Sequence, residues 1–171
     1  MGQKILENLL HNLSETLGKM ITTYEDILHT AQEKKKHIIS GDIDNLESVI
    51  YQERNLAERV MLFEEKRRYI MLSINELLGN TGNPIKLSKF IEQIKDPYRG
   101  KLKEKYDVMI EIVGKVEEVN RINTSLTKYS LEYINNLIKA VCTESLNDST
   151  YQKSGKLNEP ELQRILFEIN A

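Results

Sequence analysis

From Leu6 onward, apolar residues recur at alternating steps of four and three: Leu10, Leu13, Leu17, Met20, Tyr24, Ile27, Ala31 and, after one interruption at Lys34, Ile38. Leu9, Ile21 and Leu28 widen the row into a stripe. A row sustained this long predicts a coiled-coil-like helix rather than a short globular one. From Lys4 to Ser40 it would span roughly 55 Å. Ser40-Gly41-Asp42 then punctuates the chain. Gly41 suits the left-handed conformation that ends a helix, and Asp42 suits the cap of the next. So short a turn makes the second helix an antiparallel neighbour.

The second helix carries the row Leu46, Val49, Glu53, Leu56, Val60, Phe63, Arg67, Ile70, Ile74 and Leu77. Two of its seam positions are charged, Glu53 and Arg67. Either they snorkel or pair across the interface, or they fix the register of the helices, as a buried polar group can. Gly79 to Pro84 breaks the pattern. Leu87, Phe90, Ile91 and Ile94 predict a short amphipathic helix, and Asp96-Pro97 predicts a cap followed by proline in the first turn. A third long helix follows, from about Tyr98 to Thr143. Its seam begins with Leu102, Tyr106, Met109, Val113 and Val116 and ends with Ile134, Leu137 and Val141. Between these stand four polar residues, Asn120, Asn123, Thr127 and Ser130, which face either a wet part of the core or solvent. A second apolar row, Ile112, Val119, Ile122, Leu126, Tyr129 and Tyr133, runs beside it.

Residues 144–156 are polar and read as a linker with little surface to bury. After it, Leu162, Ile165, Leu166 and Ile169 fall on one helical face, with Asn158 as a cap and Pro160 in the first turn. Such a short segment is marginal alone. It either folds on a partner or packs on the protein's own bundle. The predicted fold is therefore all-α. It is an elongated antiparallel three-helix coiled-coil-like bundle (residues 1–143) with a short helix between helices 2 and 3, followed by a flexible C-terminal linker and amphipathic segment (residues 144–171).

Composition agrees with long helices: Pro (3) and Gly (8) are scarce, and there is no tryptophan. The net charge is -2, which lacks the electrostatic footprint of a nucleic-acid binder. A single cysteine, Cys142, allows no intramolecular disulfide and reads as a small buried hydrophobe. No stretch approaches the roughly 20 apolar residues of a membrane span. Glu7 and His11 interrupt any signal-peptide core, and Leu6 stands where a myristoylation site needs Ser or Thr. These features predict a soluble protein that stays in a reducing compartment.

Catalytic patterns are missing. There is no phosphate loop, no C-x-x-C and no H-E-x-x-H. Asp26-x-x-His29, with Glu25 and Glu33 a turn to either side, is the one arrangement with metal-ligand types. A di-iron bundle needs such a motif on two helices, and here all three histidines, His11, His29 and His37, lie on the first. A solvated face is the expectation, with no metal, no cofactor and no enzymatic activity. Lys34-Lys35-Lys36-His37 and Lys66-Arg67-Arg68 are two basic clusters too far apart on an antiparallel pair to form one patch. They read as solvated surface or as sites for an acidic partner. Long bundles with an apolar tail favour an interaction module over an enzyme.

Several stretches also resemble the FlgN family of flagellar type III export chaperones. They are Glu33 to Leu46 around the first turn, Glu53-Arg54-Asn55-Leu56 and Leu62 to Arg67 in the second helix, and Asn120-Arg121-Ile122-Asn123 with Leu126 and Ser130 to Ile134 in the third. The resemblance runs in order through nearly the whole chain. It implies a cytoplasmic chaperone that binds the hook–filament junction proteins FlgK and FlgL and delivers them to the export gate protein FlhA. It implies substrate binding by the C-terminal region, here Leu162, Ile165, Leu166 and Ile169, and gate docking by Tyr151 and Gly155. Gln152 stands where the family has a glycine after the tyrosine. A coiled-coil adaptor or structural protein without a secretion role is the competing reading. The acidic polar face of the last segment disfavours a role on anionic membranes.

Overall fold

The computed structural model describes residues 2–79 and 85–149, with side chains as far as Cys142. Among the described residues there are four helices and no strand: α1 (Gly2–Ser40), α2 (Ile43–Leu77), α3 (Leu87–Gln93) and α4 (Tyr98–Ser149). The fold is all-α. The chain divides into two compact units, residues 1–128 and 129–171.

In the first unit, the turn between α1 and α2 follows its chemistry. Gly41 takes a φ of 68°, a conformation that costs glycine little. The backbone N–H of Asp42 donates to the carbonyl of His37 at 3.1 Å. The Asp42 carboxylate accepts from the Asn45 backbone N–H at 3.2 Å and from its side-chain amide at 2.7 Å, which caps α2. These bonds, Asn45's side chain first, hold the Asp42 carboxyl below the usual carboxylate range, helped by the nearby His37.

The two helices then run antiparallel as a close pair. Lys34, the one interruption in the row of α1, meets Glu53, a charged seam residue of α2, at 2.5 Å. Both side chains are about four-fifths buried, at 19% and 20% exposed, so each charge supplies what burial takes from the other. Arg59 approaches Asp26 at 3.8 Å further along. Arg67 behaves differently: it pairs with Glu64 on its own helix, so among the described residues that seam position makes no cross-helix ion pair. Leu77 is 40% exposed rather than in the seam. It is the last residue of α2, opposite the start of α1, where Leu6 is itself only half-buried.

The main core sits where α1 begins, α2 ends and α4 begins. Leu10, Leu13, Leu17 and Met20 of α1 meet Ile70, Met71 and Ile74 of α2, and Leu102 of α4 closes the cluster. The short helix α3 inserts Leu87, Phe90 and Ile91 into it, as its spacing predicts. α4 begins at Tyr98, where the sequence places it, but it runs on to Ser149, so residues 144–149, expected as linker, are helical because they carry no proline or glycine to stop the helix. Asp96-Pro97 is a cis peptide, and Asp96 caps from outside by accepting from the Gly100 N–H at 3.2 Å.

Two long-range bonds set the direction of α4 in this unit. Lys105 Nζ donates to the Ser14 carbonyl at 2.7 Å, passing Gly18, where an added Cβ would come within 3.3 Å of it. Asn123 Nδ2 donates to the Ala31 carbonyl at 2.8 Å. Both partners advance together, so α4 runs parallel to α1 and antiparallel to α2.

Candidate protein-binding surfaces

The four polar seam residues of α4 do not act as a group. Asn123 is buried at 3% exposure and makes the bond to Ala31, while its Oδ1 has no partner. Asn120 and Thr127 are exposed and Ser130 is half-buried. Past that point, the apolar seam continues in sequence without being covered. Tyr129, Tyr133 and Val141 are each more than three-fifths exposed, and Leu131, Ile134, Leu137 and Ile138 are exposed as well. The sequence places Ile134, Leu137 and Val141 in a seam, and the structure leaves all three facing outward. Cys142 is half-buried, not enclosed.

A helix turns by about 100° per residue, so these positions cover an arc of roughly 200°. A helix lying against a globular core needs an apolar stripe of only about 100°. Exposed apolar side chains that are scattered singly need no explanation, but a contiguous band of them marks an interaction surface.

A second surface lies in the first unit. A cleft of about 580 Å³ opens between α1, α2, the start of α3 and α4. Met20, Met71, Leu87 and Met109 form its floor, and Arg67, Arg68 and Lys86 line it alongside Glu64. Methionine-rich linings adapt to varied apolar shapes. Tyr24 sits in this cleft, and its phenol is raised above its ordinary pKa, chiefly by burial and then by Glu64, with Arg67 opposing. Asn75 anchors the wall: its amide donates to the Met71 carbonyl at 2.7 Å and its oxygen accepts from the Ile85 N–H at 3.1 Å.

Other candidates carry less. Asp26 and His29 line a shallow depression with Thr30, Gln52, Asn55 and Leu56. Asp26 faces Arg59 there, and no group of three or more metal-ligating side chains forms among the described residues. Within the basic clusters, Lys34 pairs with Glu53, Lys36 with Glu33 and Arg67 with Glu64. Leu162, Ile165, Leu166 and Ile169, with Tyr151 and Gly155, lie outside the described residues.

Sequence reasoning passed over one buried set. Thr16, Thr23 and Thr30 are all buried, and each hydroxyl donates to the carbonyl four residues back at 2.8 Å. Satisfied in this way, a threonine behaves as a small apolar residue. Their seven-residue spacing was the available signal.

The described residues are all-α and present a broad exposed apolar band on α4. The family model described as FlgN protein matches residues 1–159. The chain belongs to the FlgN family. FlgN-family proteins are flagellar export chaperones rather than enzymes. This FlgN-family match takes in the whole described structure and stops just before Leu162. A protein of Bacillus subtilis (strain 168) named "Uncharacterized protein YvyG" is 22% identical over 158 residues, covering 92% of this chain and 96% of its own length. No solved structure matches. Among the described residues of this FlgN-family chain, no helix is long and apolar enough to cross a membrane.

Proposed function

We propose that this protein is a cytoplasmic type III export chaperone that binds the hook–filament junction proteins FlgK and FlgL, shields them and delivers them to the export gate protein FlhA. The observation that carries this reading is the FlgN-family match over residues 1–159. Leu162, Ile165, Leu166 and Ile169 form the client-binding face, and the exposed row Tyr129, Tyr133 and Leu137 of α4 offers clients a second apolar surface. Tyr151 and Gly155 dock the loaded chaperone on FlhA. The alternative of a coiled-coil adaptor without a secretion role explains the heptads equally well but not the family match.

The mechanism is physical rather than catalytic. An unassembled junction protein exposes apolar helical ends that self-associate or are cleaved. An amphipathic chaperone segment buries them by laying its apolar face alongside. Ordering that segment on binding lowers the affinity per unit area, which keeps release possible at the gate. No nucleotide or metal takes part in this chemistry.

Co-purification of the full chain with FlgK and FlgL from the same organism tests the reading. The expected result is a 1:1 complex that is lost when Leu162, Ile165 and Ile169 are changed together to Ser. A complex that survives the triple substitution moves the site onto the helical bundle. No complex with either protein overturns the proposal.

A further inference from the structure

The exposed face of α4 is too wide for one neighbour, and its two halves differ. One edge is the row Tyr129, Tyr133 and Leu137. The other is the aliphatic row Ile134, Ile138 and Val141, whose members are 48%, 41% and 65% exposed. Tyrosines tolerate a wet, exchangeable interface because the ring tip is polar. An aliphatic row has no such accommodation with water, and leaving it bare wastes its burial energy.

We infer that the chain's own segment Asn158–Ile169 docks antiparallel on the row Ile134, Ile138 and Val141 when no client is bound. Spacing sets the sense. Ascending α4, the row advances by four residues and then three; descending the segment, Ile169, Ile165 and Leu162 step by four and then three as well. An antiparallel helix therefore sets Ile169 against Ile134, Ile165 against Ile138 and Leu162 against Val141, and a parallel one puts the steps out of phase. Reach allows this register. The linker from Thr150 to Leu157 spans at most roughly 27 Å when extended, and Ile134 to Val141 lies about 12–22 Å of helix rise before Ser149. Length also fits, since a helix from Asn158 to Ile169 is about 18 Å long. Charge does not oppose the docking. Between residues 129 and 143, Glu132 and Lys139 cancel, so the acidic segment, with Glu159, Glu161 and Glu168 against Arg164, meets no net like charge. Both surfaces belong to the second unit of the chain.

Docking hides the apolar face Leu162, Ile165, Leu166 and Ile169 from premature association, and an arriving client displaces it from α4. The inference rests on the chaperone reading only for that last step, and its test uses no client.

Amide hydrogen exchange of residues 158–169 in the full-length protein, alone in solution, decides it. The expected result is exchange at least tenfold slower than in a free peptide of the same residues. That protection should be lost both in Ile134→Ser/Ile138→Ser and in Leu162→Ser/Ile165→Ser. The second pair leaves α4 untouched, so a folding defect in the first cannot imitate the result. Exchange at the peptide rate in the unaltered protein overturns the inference. So does protection that survives either pair, and so does protection that grows with protein concentration, which would place the segment on a second copy.

Discussion

The two stretches of α4 obey one spacing rule and end in different states. Leu102 and Val116, two heptads apart on the seam in the first unit, are buried at 0% and 8% exposure. Ile134, Leu137 and Val141, in the second, continue the four-and-three rhythm and are 47–65% exposed. Periodicity therefore reports that a helix has an apolar face, and not that anything covers it. The covered stretch contributes to the core, and the second stretch leaves its apolar face exposed.

Core truncation should separate the two most strongly. Leu13→Ala, at a position with no exposure, should cost about 2–5 kcal/mol of unfolding free energy in urea titration. Leu137→Ala should stay within about 0.5 kcal/mol, as surface changes do. Equal losses would erase the distinction. A smaller effect is expected at the one polar residue the covered stretch encloses. Asn123→Leu removes an oxygen without a partner together with one bond to Ala31. It should change stability by no more than about 1 kcal/mol, since an apolar replacement of similar volume relieves a half-satisfied group. A loss above about 2 kcal/mol would show that the bond positions α4.

Within the α1–α2 pair, a double-mutant cycle of Lys34→Ala and Glu53→Ala should return a coupling of about 1 kcal/mol. No coupling would reduce the pair to snorkelling side chains. The smallest effect is at the turn. Because the Asp42 carboxyl is held below its ordinary value by Asn45 and His37, its stabilisation is fully present above the unfolded value of about 3.9. It is lost as the pH falls through the folded value. Asp42→Ala should flatten the acid limb of a stability–pH curve slightly, and an unchanged limb would contradict the cap.

The difference between the stretches also explains what could be read from sequence. The helices, the Gly41 turn and the α3 insertion were legible because local periodicity and cap chemistry specify them. The pairing of Lys34 with Glu53 was half legible: each stood out as a charge in a seam, but neither named its partner. Thr16, Thr23 and Thr30 were missed because a hydroxyl bonded to its own helix is apolar in effect and polar in composition. Asn75 and Asn123 were not separable from exposed asparagines, because their burial depends on Ile85 and Ala31, far away in sequence. The family match reaches residues 1–159, yet the exposure of the α4 rows is a property that no short motif encodes.

The division between a stretch that holds the fold and a stretch proposed to serve clients is tested most directly by one variant, Tyr133→Ser/Leu137→Ser. Its thermal unfolding and its affinity for FlgK should be measured on the same preparation. The account predicts an unchanged melting temperature and at least tenfold weaker binding. Full binding, or a melting temperature that falls with the affinity, would contradict it.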